Sequence, residues 1–227
     1  MKILHIESAT EVCSIAISDG KQVLAFCEAE NPMSHAAMTT VLIERCLAEA
    51  KLEVSDLEAI SLSKGPGSYT SLRVGASVAK GMCFALGIPM ITIDTLESLA
   101  MAAVAQFGEQ NALYCAMIDA RRMEVYTTLY DASGRVIRPL ESLIVEEDSF
   151  ADFAAQEQQI IFIGNGAMKC EKTLTFPNFS FAPLACSALF LINIANQYFI
   201  NKNFTNIITF TPEYVKSPHI TAAKSVF

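Results

Sequence analysis

The chain has 227 residues, 52% of them hydrophobic and 18% charged, with a mean hydropathy of +0.35 and a formal net charge of −8. That length admits one large domain or two small ones, and the apolar excess is more than one soluble surface needs, so part of it is expected at a subunit interface. The negative charge opposes a nucleic-acid backbone, no run approaches the ~20 apolar residues of a membrane span, and Glu7 interrupts the amino terminus before a signal-peptide core forms.

In chain order, apolar runs at Ile3–Glu7 and Cys13–Ser18, a turn at Ser18-Asp19-Gly20 and a run at Val23–Ala29 predict a three-stranded meander. Asn31, Pro32 and Ser34 form a helix start signal. Met38, Val41, Leu42, Ile43, Cys46 and Leu47 then recur at helical period, which predicts a helix over Ser34–Ala50. A short strand at Ala59–Leu62 leads into a glycine-containing turn, a helix from Ser71 to Leu86 and a strand at Met90–Ile93. After the breaker Phe107-Gly108-Glu109-Gln110-Asn111 the order restarts. Strands are expected at Ala112–Asp119, Glu124–Tyr130 and Val136–Val145, then a helix near Ser149–Gln156 and a strand at Ile160–Ile163. A last helix at Ser187–Ile200 precedes a polar tail after Pro212.

Two β-β-β-α-β units in tandem are the ground plan of the actin-like ATPase (ASKHA) fold, an α/β fold in which two RNase H-like lobes face each other across a nucleotide cleft. The fold alone carries no function. The lobes divide the chain into residues 1–107 and a smaller second lobe, 108–227, whose carboxy-terminal tail can pack back on the first.

The segment KGPGSYTSLRVG at 64–75 follows a predicted strand. It lacks the Gly-Lys-Ser/Thr triplet of a Walker loop, and Thr70 stands where a dinucleotide fingerprint has its third glycine. Gly65 and Gly67 flank Pro66 as in a tight turn, and Ser68, Thr70 and Ser71 offer hydroxyl caps to the helix that follows. Ser68, Thr70 and Arg73 are candidate anion contacts at that helix amino terminus. From Val74 to Leu86 only Lys80 is charged, and Gly75, Ala76, Ser77, Ala79, Gly81 and Ala85 are small. Such a helix is buried nearly all round, between its sheet and either a partner helix or its own domain. The helix at Ser34–Ala50 carries two apolar stripes, Met38-Val41-Leu42 and Ile43-Cys46-Leu47-Ala50; a sheet needs one, which leaves the other for another subunit.

No catalytic residue emerges. His5, His35 and His219 are the only histidines and none is paired at helical spacing, so no metal site is expected. The seven cysteines form no C-x-x-C pair, carry no nucleophile signature and read as reduced core residues of a cytoplasmic protein. No G-x-S-x-G elbow occurs. Asp119, Arg121, Arg122 and Glu124 read as a salt-bridged strand end.

GPGSYTSLRVG at Gly65–Gly75 resembles the GPGSFTGLRIG-like signature of the TsaB (YeaZ) family, and the opening ILHIESATEVCSIAIS is similar to that family's first hairpin. DARRMEVY at Asp119–Tyr126, GNGA at Gly164–Ala167 and PEYV at Pro212–Val215 extend the resemblance over almost the whole chain. The departures are Tyr69 and Ser71 in the signature and Glu7 where an Asp is usual.

Active ATPases of the superfold resemble one another in two loops where an acidic residue precedes glycines that admit phosphate. Here the first reads Glu7-Ser8-Ala9-Thr10-Glu11, with a Cβ at Ala9 and a second carboxylate, and the second, Asp119–Glu124, has no glycine. Both disfavour ATP hydrolysis. Gly164 and Gly166 resemble the adenosine-side turn and are candidate nucleotide contacts.

The resemblance implies a non-catalytic partner of a TsaD-like threonylcarbamoyltransferase acting on the adenosine beside the tRNA anticodon, assisted by a TsaE-like ATPase. A homodimer is expected when the chain is alone, because an exposed apolar helix pair would otherwise contact water; the net charge leaves tRNA contact to the partner, and ATP or ADP is expected only within the complex. Family members pair through the first lobe's two helices, which assigns interface roles to Met38, Leu42, Arg45, Leu72, Ala76 and Ala79. The alternatives are a stand-alone ATP-dependent kinase or ATPase of the same superfold, and a glycoprotease-like metallopeptidase. The latter would need the paired-histidine motif that TsaD carries and this chain lacks.

Overall fold

The computed structural model describes residues 1–29 and 35–216, with the side chains of 35–37 excepted. The helix start signal at Asn31, Pro32 and Ser34 lies outside the described residues, as does His219. Strands β1 (Lys2–Glu7), β2 (Ser14–Asp19) and β3 (Gln22–Glu28) precede helix α1 (His35–Ala50), β4 (Ala59–Ser63), α2 (Tyr69–Leu86), β5 (Met90–Ile93) and α3 (Thr95–Phe107). The second series runs β6 (Leu113–Asp119), β7 (Glu124–Asp131), β8 (Val136–Ile144), α4 (Ala151–Ala155), β9 (Ile160–Ile163), β10 (Phe179–Ala182) and α5 (Ala188–Ile200).

The strand orders are β3-β2-β1-β4-β5 and β10-β9-β6-β7-β8. In each sheet an antiparallel meander supplies three strands, and two more add parallel to its first strand. The two sheets therefore share one topology, the RNase H-like arrangement expected from the element order. β1 and β6 sit at the sheet centres with nearly every residue buried, since helices or loops cover both faces. Pro139, which cannot donate to a ladder, falls on edge strand β8.

Packing does not follow chain order. On one face of the first sheet, Leu4, Ile6, Ile15 and Ile60 meet Leu42 and Cys46 of α1 and Ala76 and Ala79 of α2. On the other, Ile3, Ile91 and Ile93 meet Leu191, Ile194 and Ala195 of α5. Helix α3, which the sequence did not announce, packs through Leu96, Leu99, Ala100 and Ala103 on Tyr114, Ala116 and Ile118 of the second sheet. Its ends are well formed: Asp94 Oδ1 accepts from the Leu96 and Glu97 amides at 2.9 and 3.2 Å, and Gly108 closes it in the left-handed region at φ 69°. α3 and α5 touch, so the lobes meet through a helical layer.

Candidate functional site

The signature segment is a junction of backbones. Ser68 stands at the α2 N-cap, but its hydroxyl makes no cap bond; it receives the Ser71 hydroxyl at 3.0 Å, and the Ser68 amide donates to the Ala9 carbonyl at 2.7 Å. The helix starts at Tyr69, two residues earlier than the sequence indicates. A Cβ on Gly67 would lie 2.2 Å from the Ala9 carbonyl oxygen. One on Gly65, at φ +115°, would lie 2.6 Å from the Glu213 carbonyl oxygen. These glycines thus admit the first loop on one side and the carboxy-terminal segment on the other. Arg73 lies 4.0 Å over the Tyr69 ring and donates Nε–H to the Tyr214 hydroxyl at 3.0 Å, so this candidate anion contact is engaged with aromatic rings. Thr70 is exposed beside it.

Glu7 ends β1 with its side chain fully buried. Oε1 accepts from the Ala9 amide at 2.7 Å and the Ser63 hydroxyl at 2.8 Å, and Oε2 has no partner among the described residues. Burial outweighs these bonds and pushes the carboxyl up to about 7. A folded-state value above the ordinary 4.5 means that stability from this group is fully present below about pH 4.5 and is lost as the pH rises through 7. Glu7→Gln is expected to remove a stability loss on the order of 3 kcal/mol between about pH 4.5 and 7. Urea unfolding of both proteins at the two pH values measures this; parallel pH dependences would show a carboxylate already ionised in the native chain.

In the second loop the Asp119 amide donates to Asn165 Oδ1 at 3.0 Å, Ala120 to the Glu124 carbonyl at 3.0 Å and Arg121 to Asp119 Oδ1 at 2.8 Å. Asn165 also donates Nδ2–H to Glu11 at 2.8 Å, bridging the two loops. The Ala9 amide of one loop and the Asp119, Ala120 and Arg121 amides of the other are therefore occupied by the protein's own groups. They do not fit the phosphate cradle that the superfold's ATPases use. Gly164 and Gly166 make room for β6: added Cβ atoms would meet the Met117 carbonyl oxygen at 2.2 Å and the Ile118 carbonyl carbon at 2.9 Å.

The cations of this strand end are not the expected arginines. Lys169 pairs with Asp119, and Lys216 with Glu124, while Arg121 and Arg122 are exposed at φ 72° and 50°. Neither lysine carries a sequence signal for that role. His5 is buried, with Nδ1 2.7 Å from the Ser61 hydroxyl and Nε2 2.8 Å from that of Ser18, and burial pushes its pKa down to about 3. It is a neutral core residue. His35 opens α1, and its side chain is outside the described ones.

The helix pair requires a correction. Leu42, Leu72, Ala76 and Ala79 are 2%, 1%, 4% and 0% exposed. They are buried inside the chain itself, Leu42, Ala76 and Ala79 against the first sheet. The small residues Gly75, Ala76 and Ala79 are buried within the chain, while Ser77, Gly81 and Ala85 are exposed. Met38 also packs partly on this core, and only Arg45, paired with Glu49 at 2.9 Å, projects outward. The two stripes on α1 are one broad buried band that includes Leu42, Ile43, Cys46 and Leu47; of the named positions Val41 alone is well exposed, at 50%. Ala76→Arg therefore tests folding and not pairing. Burying that charge is expected to cost roughly 3–5 kcal/mol, visible as a large fall in Tm.

What the pair offers outward is a groove of about 650 Å³ with Ile43 and Leu47 of α1 and Val78, Gly81 and Met82 of α2 among its walls. A Cβ on Gly81 would meet nothing within 4 Å. Phe84, on the same helix, is 81% exposed.

Comparison with known proteins accords with this geometry. The family model described as TsaD, tRNA N6-adenosine threonylcarbamoyltransferase, matches residues 31–226. The tRNA threonylcarbamoyladenosine biosynthesis protein TsaB of Escherichia coli K12 is 35% identical over 57% of this chain and 55% of its own length. A Pseudomonas aeruginosa structure described as similar to peptidase YEAZ superposes with a TM-score of 0.82 and 26% identity, covering 95% of this chain and 99% of that one. The chain belongs to the TsaB (YeaZ) family, within the group that the TsaD model describes. The TsaB of Bacillus subtilis 168 is 27% identical over 73% of this chain and 71% of its own length. The matched stretches span about half the length of the first curated TsaB relatives. Among the described residues of this TsaB-family chain, no group of three or more His, Cys, Asp or Glu side chains is placed to hold a metal ion, and no helix is long and apolar enough to cross a membrane.

Proposed function

We propose that this chain is a non-catalytic subunit that stabilises and positions a TsaD-type transferase during threonylcarbamoylation of the adenosine beside the tRNA anticodon. The observation that carries this reading is the occupation of both acidic loops by the protein's own groups, from Glu7 on the Ala9 amide to Asn165 on the Asp119 amide. A chain of this fold with such loops contributes a surface, and the groove between α1 and α2 is an apolar one.

The transferase covers that groove, and in its absence a second copy of this chain does so, because exposed apolar surface of this kind seeks cover. A TsaE-like ATPase joins the pair. The chain works in the cytoplasm, and ATP or ADP enters only within the complex. With a net charge of −8, this subunit leaves tRNA contact to its partners.

Affinity purification of the tagged chain from its native cell tests the partnership, and the expected co-purifying protein is a transferase with a paired-histidine metal motif. Calorimetry of the isolated chain with ATP and magnesium is expected to show no turnover. Tight magnesium-dependent binding followed by hydrolysis would overturn the non-catalytic reading.

A further inference from the structure

After α5 the chain returns along the outer edge of the first lobe. The Thr205 amide donates to the Met90 carbonyl of β5 at 2.8 Å, and the Thr205 and Thr92 hydroxyls meet at 2.9 Å. Ile207 and Phe210 pack on the first lobe's core, and Lys80 of α2 donates to the Phe210 carbonyl at 3.0 Å. At the signature turn the Glu213 amide donates to the Lys64 carbonyl at 2.8 Å, while its carboxylate pairs with the Lys64 ammonium at 2.9 Å. The Tyr214 ring lies 4.7 Å from that of Tyr69, tilted at 41°. Two residues later the segment leaves the first lobe, and Lys216 pairs with Glu124 of β7, which is also held by the Ser142 hydroxyl at 2.8 Å.

The two ends of this segment differ in kind. The first-lobe end combines backbone bonds, apolar burial and an aromatic ring contact, and the missing Cβ of Gly65 lets it pass close over the turn. The second-lobe end is one ion pair whose side chains are 45% and 20% exposed. Exposed pairs of this sort are weak and screened by salt.

We propose that residues 205–216 form an interlobe latch, anchored on β5 and the Gly65–Tyr69 turn and clasped to the second lobe by the Lys216–Glu124 pair, which sets how far the cleft between the lobes opens. The latch acts alongside the Glu11–Asn165 bond, the other polar contact described above between the two lobes' loops. Salt loosens the clasp before it loosens the anchor.

Spin labels on cysteines introduced at exposed Gln22 of β3 and Glu146, after β8, report the distance between lobes; the seven native cysteines are buried. Pulsed dipolar spectroscopy at low salt is expected to show a main short distance and a minor, measurable longer one for the parent chain. Lys216→Glu should raise the ratio of open to closed forms roughly two- to fivefold, as should high salt. Combining it with Glu124→Lys should restore the parent distribution. Amide exchange at Thr205 and Glu213 reports the anchor independently, and both amides are expected to stay protected in Lys216→Glu. An unaltered distance distribution in Lys216→Glu, or no recovery in the charge-exchanged pair, would overturn the proposal. So would loss of the Thr205 and Glu213 protection in the single variant, because the clasp would then be part of the anchor.

Discussion

Gly81→Arg is expected to leave the monomer folded and to abolish pairing through the groove between α1 and α2. Gly81 lies within α2 on an exposed face, and a Cβ there would meet nothing within 4 Å, so the longer side chain can run out along the open groove. Replacing a helical glycine gains about 0.8–1 kcal/mol of propensity, and Tm should hold or rise. A partner seated on Val78 and Met82 would instead meet a bulky charged side chain and have to desolvate its guanidinium, which costs on the order of 3 kcal/mol and weakens the complex ~100-fold. Light scattering and calorimetry with the transferase read the effect. A variant that still pairs at parental affinity would show that another face is used.

Gly67→Ala is the complementary case, expected to damage the fold from a position that looks like a simple turn. A Cβ 2.2 Å from the Ala9 carbonyl oxygen can be accommodated only by moving the first loop off the α2 amino terminus, and that movement breaks the 2.7 Å bond from the Ser68 amide. Overpacking of about 1–3 kcal/mol and a lost hydrogen bond of about 1 kcal/mol together predict roughly 2–4 kcal/mol of lost stability. For a chain of this length that is a fall in Tm of roughly 4–16 °C. A Tm within a degree or two of the parent would mean that the loop yields without cost and that Gly67 serves something other than this approach.

The fold was legible because alternation and helical period report burial, and burial is what the sheets and the core helices share. Each meander and each central strand falls close to where the apolar runs put it. Helix α3 was hidden by its setting, since Asp94 caps it immediately after β5 with no intervening turn, and Phe107-Gly108 reads as a lobe boundary as readily as a helix end. Strand β10 is four residues, Phe-Ser-Phe-Ala, too short to show a period.

The site was less legible, for two physical reasons. Composition says that α2 has small residues but not which way they face, so Ala76 and Ala79 were assigned to a partner when they face the chain's own sheet, and Gly81 was not singled out. Contacts made across the sequence are invisible to spacing: Gly65 announces a turn, but that it makes room for Glu213 is known only once the carboxy-terminal segment has been placed. The same holds for Lys216 on Glu124 and Asn165 on Glu11. The absence of glycine from Asp119–Glu124 was readable directly, and the occupied amides of that loop agree with it.

The role as a partner subunit is tested most directly by reconstitution with the transferase and ATPase purified from the same cell, measuring threonylcarbamoyladenosine in tRNA by nucleoside mass spectrometry. The predicted result is product only when this chain is added, no product from the chain alone, and loss of product with Gly81→Arg. Full product formation without this chain, or with Gly81→Arg at the parental rate, would contradict the account.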